Sequence, residues 1–385
     1  MAIKILHTAD LHIGKNYGSY NEYPAVKEDL VEERYKVLDR LISKANENNC
    51  ELFVVAGDLF DDANFRKKKD VEKIRPSLER FEGRAILILP GNHDYHSERN
   101  KDRWRWLEDI DDVLVLKNKD KYDISDRLEE GNETCIYPAP CDQKISQENN
   151  LGWIEESEKE DDIFHIGVAH GHLEGCSYDQ EGMYFPMAKN DLKDRDLDLW
   201  LLGHVHVMIP RKETRVQDHF YPGTPEEDGF KKKSEASEKG KAWIIEIKDD
   251  KEISAESIDV GRHRFKHDEI KVEDMEDFER LKDDIENDEH EHELLRLTVK
   301  GKMDKDDFEE VQKYLNGLRR DPKGFKYIEL DDEGFNRRID LDVVQDEFSE
   351  GSFSYQLFEN VLEEDSELSE TAAELAYEMI EEMKG

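Results

Sequence analysis

Cysteine is scarce in this chain: four residues in 385, Cys50, Cys135, Cys141 and Cys176, with no CxxC pair among them. That spacing fits reduced thiols better than a disulfide framework or a zinc knuckle, and a cytosolic, cytoplasmic protein is expected. Long apolar runs are missing too, none approaching the roughly 18 residues a membrane span requires. The opening MAIKILHTAD passes straight into a polar cluster without a charged-then-apolar leader, so neither export nor membrane insertion is expected. Positive charge is the third scarcity, with 56 Lys and Arg against 96 Asp and Glu and a formal net charge of -40. A uniformly basic, nucleic-acid-gripping surface is thereby excluded. Two sources of the acidity stand side by side: a halophile's surface, soluble at high salt, and a mesophile with acidic loops and tails. Internal repeats and low-complexity linkers are absent, and the length predicts two to three ordinary domains at about 150 residues each.

What the chain does have is five apolar runs, each giving way to a polar cluster. Residues 3–6, 52–55, 86–89, 166–169 and 199–202 lead into DLHIG from Asp10, GDLFD around Asp58, GNHD from Gly91, AHGH from Ala169 and GHVH from Gly203. Read as buried strands, the runs deliver five polar groups to the carboxyl edge of one sheet, where open α/β sheets collect their ligands. Apolar stripes over 24–48, with Pro24 near the start, and at Val71, Ile74, Leu78 and Phe81 predict crossover helices, so the first third reads β-α-β-α-β. Short runs at 113–116 and 134–137 predict a second sheet packed on the first, and 143–162 reads as a surface helix or loop. A hairpin turning at Asp249 and Asp250 is expected to close that second sheet. Composition shifts near Gly261. Beyond it a helix, a strand at 294–299, a helix at 304–318 and a strand at 324–330 form a small α+β unit, and 357–383 reads as acidic helices packing on the body or on a partner. The predicted domains are 1–262, 263–345 and 346–385.

Asp10 and His12 are two apart, so at an extended strand end they point to one side and can grip one cation. Asp58 follows Gly57, where the backbone can approach a ligand closely, and its two oxygens can bridge two cations. Asn92, His93 and Asp94 follow the turn at Pro90 and Gly91; His170 and His172 follow one strand, His204 and His206 another. Taken singly, each has a plain explanation as a surface loop, a helix cap or a solvated histidine. Together, five strand ends carrying Asp, Asn and His are costly to bury unless paired or metallated. Mixed oxygen and nitrogen donors without thiolate favour manganese, iron or zinc over magnesium alone. Basic clusters follow the motifs, with Arg66 and Lys67 after the second, and Arg103 and Arg105 around Trp104 after the third. They are candidate nucleic-acid contacts, a solvated face being the alternative.

The set DLHIG, GDLFD, GNHD, AHG and GHVH resembles the calcineurin-like metallophosphoesterases, and more specifically the SbcD-type DNA repair exonucleases, over roughly residues 1–265. The resemblance implies an α/β fold, a two-sheet αββα sandwich followed by a small α+β cap and terminal helices. It implies two divalent metal ions, most readily Mn2+. Asp10, His12 and His206 would hold the first, Asn92, His170 and His204 the second, and Asp58 would bridge them. His93 is implied as the catalytic histidine that protonates or stabilises the leaving oxygen, with Asp94 its orienting neighbour and His172 standing behind His170. The implied activity is phosphodiester hydrolysis at DNA ends, exonuclease or endonuclease, in double-strand break repair. The implied partners are DNA, an SbcC-type coiled-coil SMC-like ATPase and a second copy of the chain in a homodimer. Two other readings remain: a metallophosphoesterase acting on a phosphomonoester or nucleotide, and a non-enzymatic scaffold. Past Gly261 the match is faint, and the acidity departs from a DNA-gripping cap.

Overall fold

The computed structural model describes residues 2–61, 68–98, 101–129, 132–154, 160, 162–176, 182–211, 218–230, 239–286, 290–362, 369, 372–373, 375–377 and 379–380. The chain divides into two compact units, Met1–Arg264 and Phe265–Gly385.

In the first unit, aliphatic runs become strands because they can be buried on both faces. β1 (Ala2–Thr8), β2 (Leu52–Val55), β3 (Ala85–Ile88) and β4 (Val113–Val115) pair in parallel, and every residue of β2 and β3 is buried. Their crossovers are α1 (Pro24–Glu47), started by Pro24 in its first turn, α2 (Lys68–Leu78) and α3 (Lys101–Glu108). A second sheet contains β5 (Tyr122–Asp123), β6 (Thr134–Ala139), β7 (Phe164–His170), β8 (Leu199–Gly203), β9 (Met208–Ile209) and β10 (His219–Pro222), in the order 5-6-7-8-10-9. The helix α4 (Lys189–Lys193) lies between β7 and β8 in the chain.

Alternation along each strand assigns the layers. Ile3, Ile5, Leu52, Val54 and Leu87 pack with Ile166, Val168, Leu199 and Leu201 between the two sheets. Leu6, Phe53, Val55 and Ile86 instead join Val37, Leu41, Ile74 and Leu107 of the helices. His7 crosses from β1 to β8, its Nε2–H donating to the Leu202 carbonyl at 3.2 Å, and burial lowers its pKa to about 3. The result is the two-sheet αββα sandwich.

Three expectations are corrected. The run at 113–116 is not in the second sheet, because the short crossover through α3 returns it beside β3. The hairpin of β11 (Lys241–Lys248) and β12 (Ile253–Asp259) does not close the second sheet either. It extends the first, since β11 pairs antiparallel with β1 from Ala2↔Lys248 to His7↔Trp243. Nor do the five polar clusters share one sheet: Asp10, Asp58 and Asn92 follow β1, β2 and β3, whereas His170 and His204 end or follow β7 and β8. The described part of 143–162 is a loop, with an isolated bridge from Ser146 to Tyr184.

The second unit has a three-stranded sheet of β13 (Arg264–Lys271), β14 (Glu293–Met303) and β15 (Tyr327–Arg337), in that order, with β14 and β15 parallel. The helices α5 (Met275–Glu286) and α6 (Lys305–Leu318) supply Phe278, Leu281, Val311 and Leu315 to its core. Then α7 (Leu341–Glu347) and α8 (Phe353–Leu362) join a smaller cluster of Ile339, Val343, Val344, Phe348, Phe358 and Ala373. Among the described residues no helix is long and apolar enough to cross a membrane.

Candidate metal centre

His170 ends β7, and the other functional side chains sit on turns just past their strands, four of them on strained backbone. Asp10, His12, Asp58 and His204 all adopt positive φ, of 55°, 48°, 53° and 99°. Asp and His tolerate this region better than branched residues, and the surrounding bonds hold them there. Asp10 N donates to Gly57 O at 3.1 Å, His12 N to Asp58 O at 3.0 Å, and His204 N to Asp10 Oδ2 at 3.0 Å. Gly57, with φ of 98°, is required for a second reason: a Cβ there would lie 2.1 Å from His170 Nδ1.

Two groups of donor atoms result. In the first, His12 Nε2 lies 3.3 Å from His206 Nε2, and Asp10 Oδ1 lies 3.9 Å from the former and 3.5 Å from the latter. In the second, Asn92 Oδ1 is 3.0 Å from His170 Nε2 and 3.3 Å from His204 Nδ1. Asp58 joins both through one oxygen, its Oδ2 lying 3.4 Å from His170 Nε2 and 3.8 Å from His12 Nε2. Its other oxygen, Oδ1, accepts the His93 N–H at 2.8 Å, so bridging through both oxygens, as expected from the sequence, is not what the geometry presents.

The outer contacts decide what these atoms offer. His170 Nδ1 faces the Ala56 carbonyl at 2.8 Å, an acceptor, so Nδ1 carries the proton and Nε2 a lone pair. His12 Nδ1 faces Asp61 Oδ1 at 3.1 Å, with the same outcome. The Asn92 amide nitrogen is 3.4 Å from the Lys144 carbonyl, which leaves Oδ1 for the centre. Acceptors therefore face acceptors, and the buried Asp10 Oδ1 has no hydrogen-bond partner. Such an arrangement repels itself unless a cation, or an extra proton on an imidazole, sits among the donors. Neighbouring donors around one ion at roughly 2.1 Å would be about 3–3.5 Å apart, close to the 3.0–3.9 Å found here. The residues thus fit two divalent ions.

Electrostatics agree. Burial opposes charge on Asp58, yet the imidazoles of His170 and His12 hold its carboxyl far below the usual range. Burial likewise opposes protonation of His170, but the Asp58 carboxylate lifts it to about 9, and Asp10 and Asp228 lift His206 to about 9 against the same penalty. His204 is lowered to about 4 by burial and by the charge of His170. Positive charge is what this cluster demands.

The remaining candidates fall elsewhere. His93 lies beside the first group, its ring 4.8 Å from that of His12 at 87°, with Nδ1 3.0 Å from the Asp61 carbonyl. Asp94 does not fill the expected orienting role. Its oxygens accept from Gly91 N at 2.7 Å and Phe60 N at 3.0 Å, shaping the loop, and Asp61 supplies the contact to the His93 ring. Burial and the nearby Asp58 charge push the Asp94 carboxyl up to about 6. His170 carries its ring into the donor set, whereas His172 holds its loop through backbone bonds to Tyr184 and Met187. Arg103 and Trp104 are corrected as nucleic-acid contacts: they are 2% and 0% exposed, and Arg103 Nη2 donates to the Asp94 carbonyl at 2.9 Å. Helical spacing explains this, since α3 turns Arg103, Trp104 and Leu107 inward and leaves Arg105 exposed. Arg66 and Lys67 lie outside the described residues.

Sequence reasoning missed Asp61, Asp228 and Lys15. Asp61 was legible as the last residue of GDLFD, three past Asp58. Asp228, after the turn at Pro222–Gly223, carries no signal in the sequence, because only the fold brings it to His206.

Residues 3–208 match the Calcineurin-like phosphoesterase family. The chain belongs to that family. It is therefore a member of a group of metal-dependent hydrolases, and it contains the donor groups for divalent ions. Over 227 residues it is 26% identical to the "Uncharacterized metallophosphoesterase YhaO" of Bacillus subtilis, covering 57% of this chain and 52% of that protein. Over 256 residues it is 24% identical to the "DNA double-strand break repair protein Mre11" of Methanopyrus kandleri, covering 58% and 49%. The chain thus spans about half the length of these curated relatives. Among solved structures, TT1561 of Thermus thermophilus aligns with a TM-score of 0.40 and 11% identity, over 68% of this chain and all of that one.

Proposed function

We propose that this phosphoesterase is a manganese-dependent DNA nuclease, hydrolysing phosphodiesters at DNA ends as the nuclease subunit of an SbcCD-type complex in double-strand break repair. The observation that carries the hydrolytic part is the pair of acceptor-only donor groups joined through Asp58 Oδ2. When bound, divalent ions polarise phosphoryl oxygens and make water a better nucleophile. The chain's own residues do the rest. Asp10, His12 and His206 orient one side of the cleft and Asn92, His170 and His204 the other, while His93, tethered by Nδ1–H to the Asp61 carbonyl, would give a proton from Nε2 to the leaving oxygen when the ring is doubly protonated, and return to the neutral Nδ1–H form. Mixed oxygen and nitrogen donors without thiolate are compatible with manganese, as they are with iron or zinc.

DNA as the substrate is supported by the likeness to the break-repair protein Mre11 and by a second compact unit beyond the family's region. The four cysteines are free thiols, in keeping with the cytosol. An ATPase partner is supported by the C-terminal helices. No lysine or arginine stands between Arg338 and Lys384, and Phe353, Leu375 and Met379 are 79%, 59% and 58% exposed there. Removing residues 357–385 should abolish ATPase binding and leave hydrolysis of a small chromogenic diester intact; loss of the diester activity would make the tail part of the catalytic fold. A homodimer completes the proposed assembly.

The net charge of -40 and the burial of Arg103 and Trp104 favour a second reading, a phosphomonoester or nucleotide substrate. Hydrolysis of linear double- and single-stranded DNA, beside a generic phosphomonoester, with Mn2+ and with Asp58→Ala, at low and molar salt, separates the two. DNA cleavage lost in the variant supports the nuclease; monoester turnover without DNA cleavage moves the protein to the second reading.

A further inference from the structure

The segment after β10 returns to the first donor group. Thr224 Oγ1 donates to the Asp10 carbonyl at 3.1 Å, and Thr224 N to the His206 carbonyl at 3.4 Å. Buried Arg34 ties the two segments together, donating to Thr224 Oγ1 at 3.3 Å and to the carbonyl of Leu11, next to Asp10, at 3.0 Å. Glu226 accepts the backbone N–H groups of Arg262 and His263 at 2.9 and 2.7 Å. With its neighbours fixed this way, Asp228 Oδ2 stands 3.7 Å from His206 Nδ1, and Lys15 Nζ donates to the same oxygen at 2.7 Å.

The two donor groups differ behind their imidazoles. In the first, His12 Nδ1 and His206 Nδ1 each face a carboxylate, of Asp61 and Asp228. In the second, His170 Nδ1 faces the neutral Ala56 carbonyl. A carboxylate on the far nitrogen fixes the tautomer and ring angle and makes the imidazole a stronger donor. Lys15, on the turn after His12, donates to the same oxygen and so competes with His206 for it.

We propose that Asp228 is a positioning residue for His206, setting how tightly the first donor group holds its ion, and that Lys15 restrains it. This rests on the two-metal reading above. The test is calorimetric titration of the chelator-stripped full-length chain with Mn2+ alone, for wild type, Asp228→Asn and Lys15→Met, beside their thermal unfolding in chelator. Wild type should bind two ions. Asp228→Asn, which keeps shape and removes charge, should weaken one of them by about 10–100-fold and leave the other unchanged. Its metal-free unfolding should stay near wild type, and its turnover should recover at high Mn2+. Lys15→Met should not weaken either ion, because it leaves Asp228 to His206. Two unaltered affinities in Asp228→Asn would overturn the proposal, as would a fall in metal-free stability with both affinities intact. Wild type that binds no Mn2+ would instead defeat the two-metal reading itself.

Discussion

The Nδ1–H of His170, at the end of β7, donates to the carbonyl of Ala56, just past β2, at 2.8 Å. One bond thus aligns two sheets, selects a tautomer and aims Nε2 at Asn92 and Asp58. Little space is left around it, as the Cβ that Gly57 lacks would lie 2.1 Å from the same nitrogen.

Gly57→Ala should therefore damage both stability and the site. The positive φ alone costs about 1–3 kcal/mol, and the ring must also move. Chemical unfolding should show at least that loss, and Mn2+ titration should show weaker binding. Wild-type values in both would mean that the loop has another conformation available.

His93→Ala should keep its ions and lose turnover. The ring converges with His12 and Asp61 but lies outside the two groups that Asp58 joins, and losing a general acid typically costs about 10²–10⁴-fold in rate. Metal content measured alongside kcat decides the matter: a variant that binds fewer ions would make His93 a ligand.

The contact between α1 and the segment after β12 should give stability a pH dependence. Burial disfavours a charged His263, but Glu226, with Nδ1 to Oε1 at 3.2 Å, and Asp29, with Nε2 to Oδ2 at 2.8 Å, outweigh it and raise the pKa. A raised folded-state pKa contributes stability that is full below the unfolded value of about 6.5 and is lost as pH climbs through the folded value. Urea unfolding of wild type and His263→Gln should thus differ most at mildly acid pH and converge as pH rises. A gap that widens with pH would reverse the assignment.

Arg103→Met should lower stability rather than DNA affinity alone. The guanidinium is buried over Phe60 and Trp104, 5.2 and 4.9 Å from their centroids, and removing it strips a buried charge from Asp94 at a cost of about 3 kcal/mol. Arg105→Met, at an exposed position, is the control and should leave unfolding unchanged. DNA binding lost in Arg103→Met with unchanged unfolding would restore Arg103 as a contact.

The strands and helices of the first unit were legible because fully apolar runs and a 3.6-residue stripe leave few alternatives, as at Leu52–Val55 and Pro24–Glu47. The donors were legible because they follow those runs directly. Sheet membership was not. A largely apolar strand such as β7 or β11 does not state its neighbour, and pairing is settled by long-range contacts such as Ile3↔Ile247. The basic stretch misled for a related reason: charge in sequence says nothing of which helix face it occupies, and Arg103 turned inward. Asp228 lay beyond reach because its partner is chosen by a loop that only the folded sandwich positions.

The split of the donors between two sheets also sets an order for the protein's making. Asp10, His12, Asp58 and Asn92 leave the ribosome first, and the earliest partner imidazole, His170, follows Asn92 by 78 residues. A nascent chain that has completed β1, β2, β3 and the turn after it presents acids, one amide and the rings of His12 and His93, but neither donor group is whole. Cation capture must wait for β7 and β8 to dock, and the ion then becomes a clasp across the closed sandwich, so its binding energy is added to folding. Metal starvation during synthesis should accordingly yield an intact but loosely latched protein, whereas a chain truncated before His170 never acquires the latch.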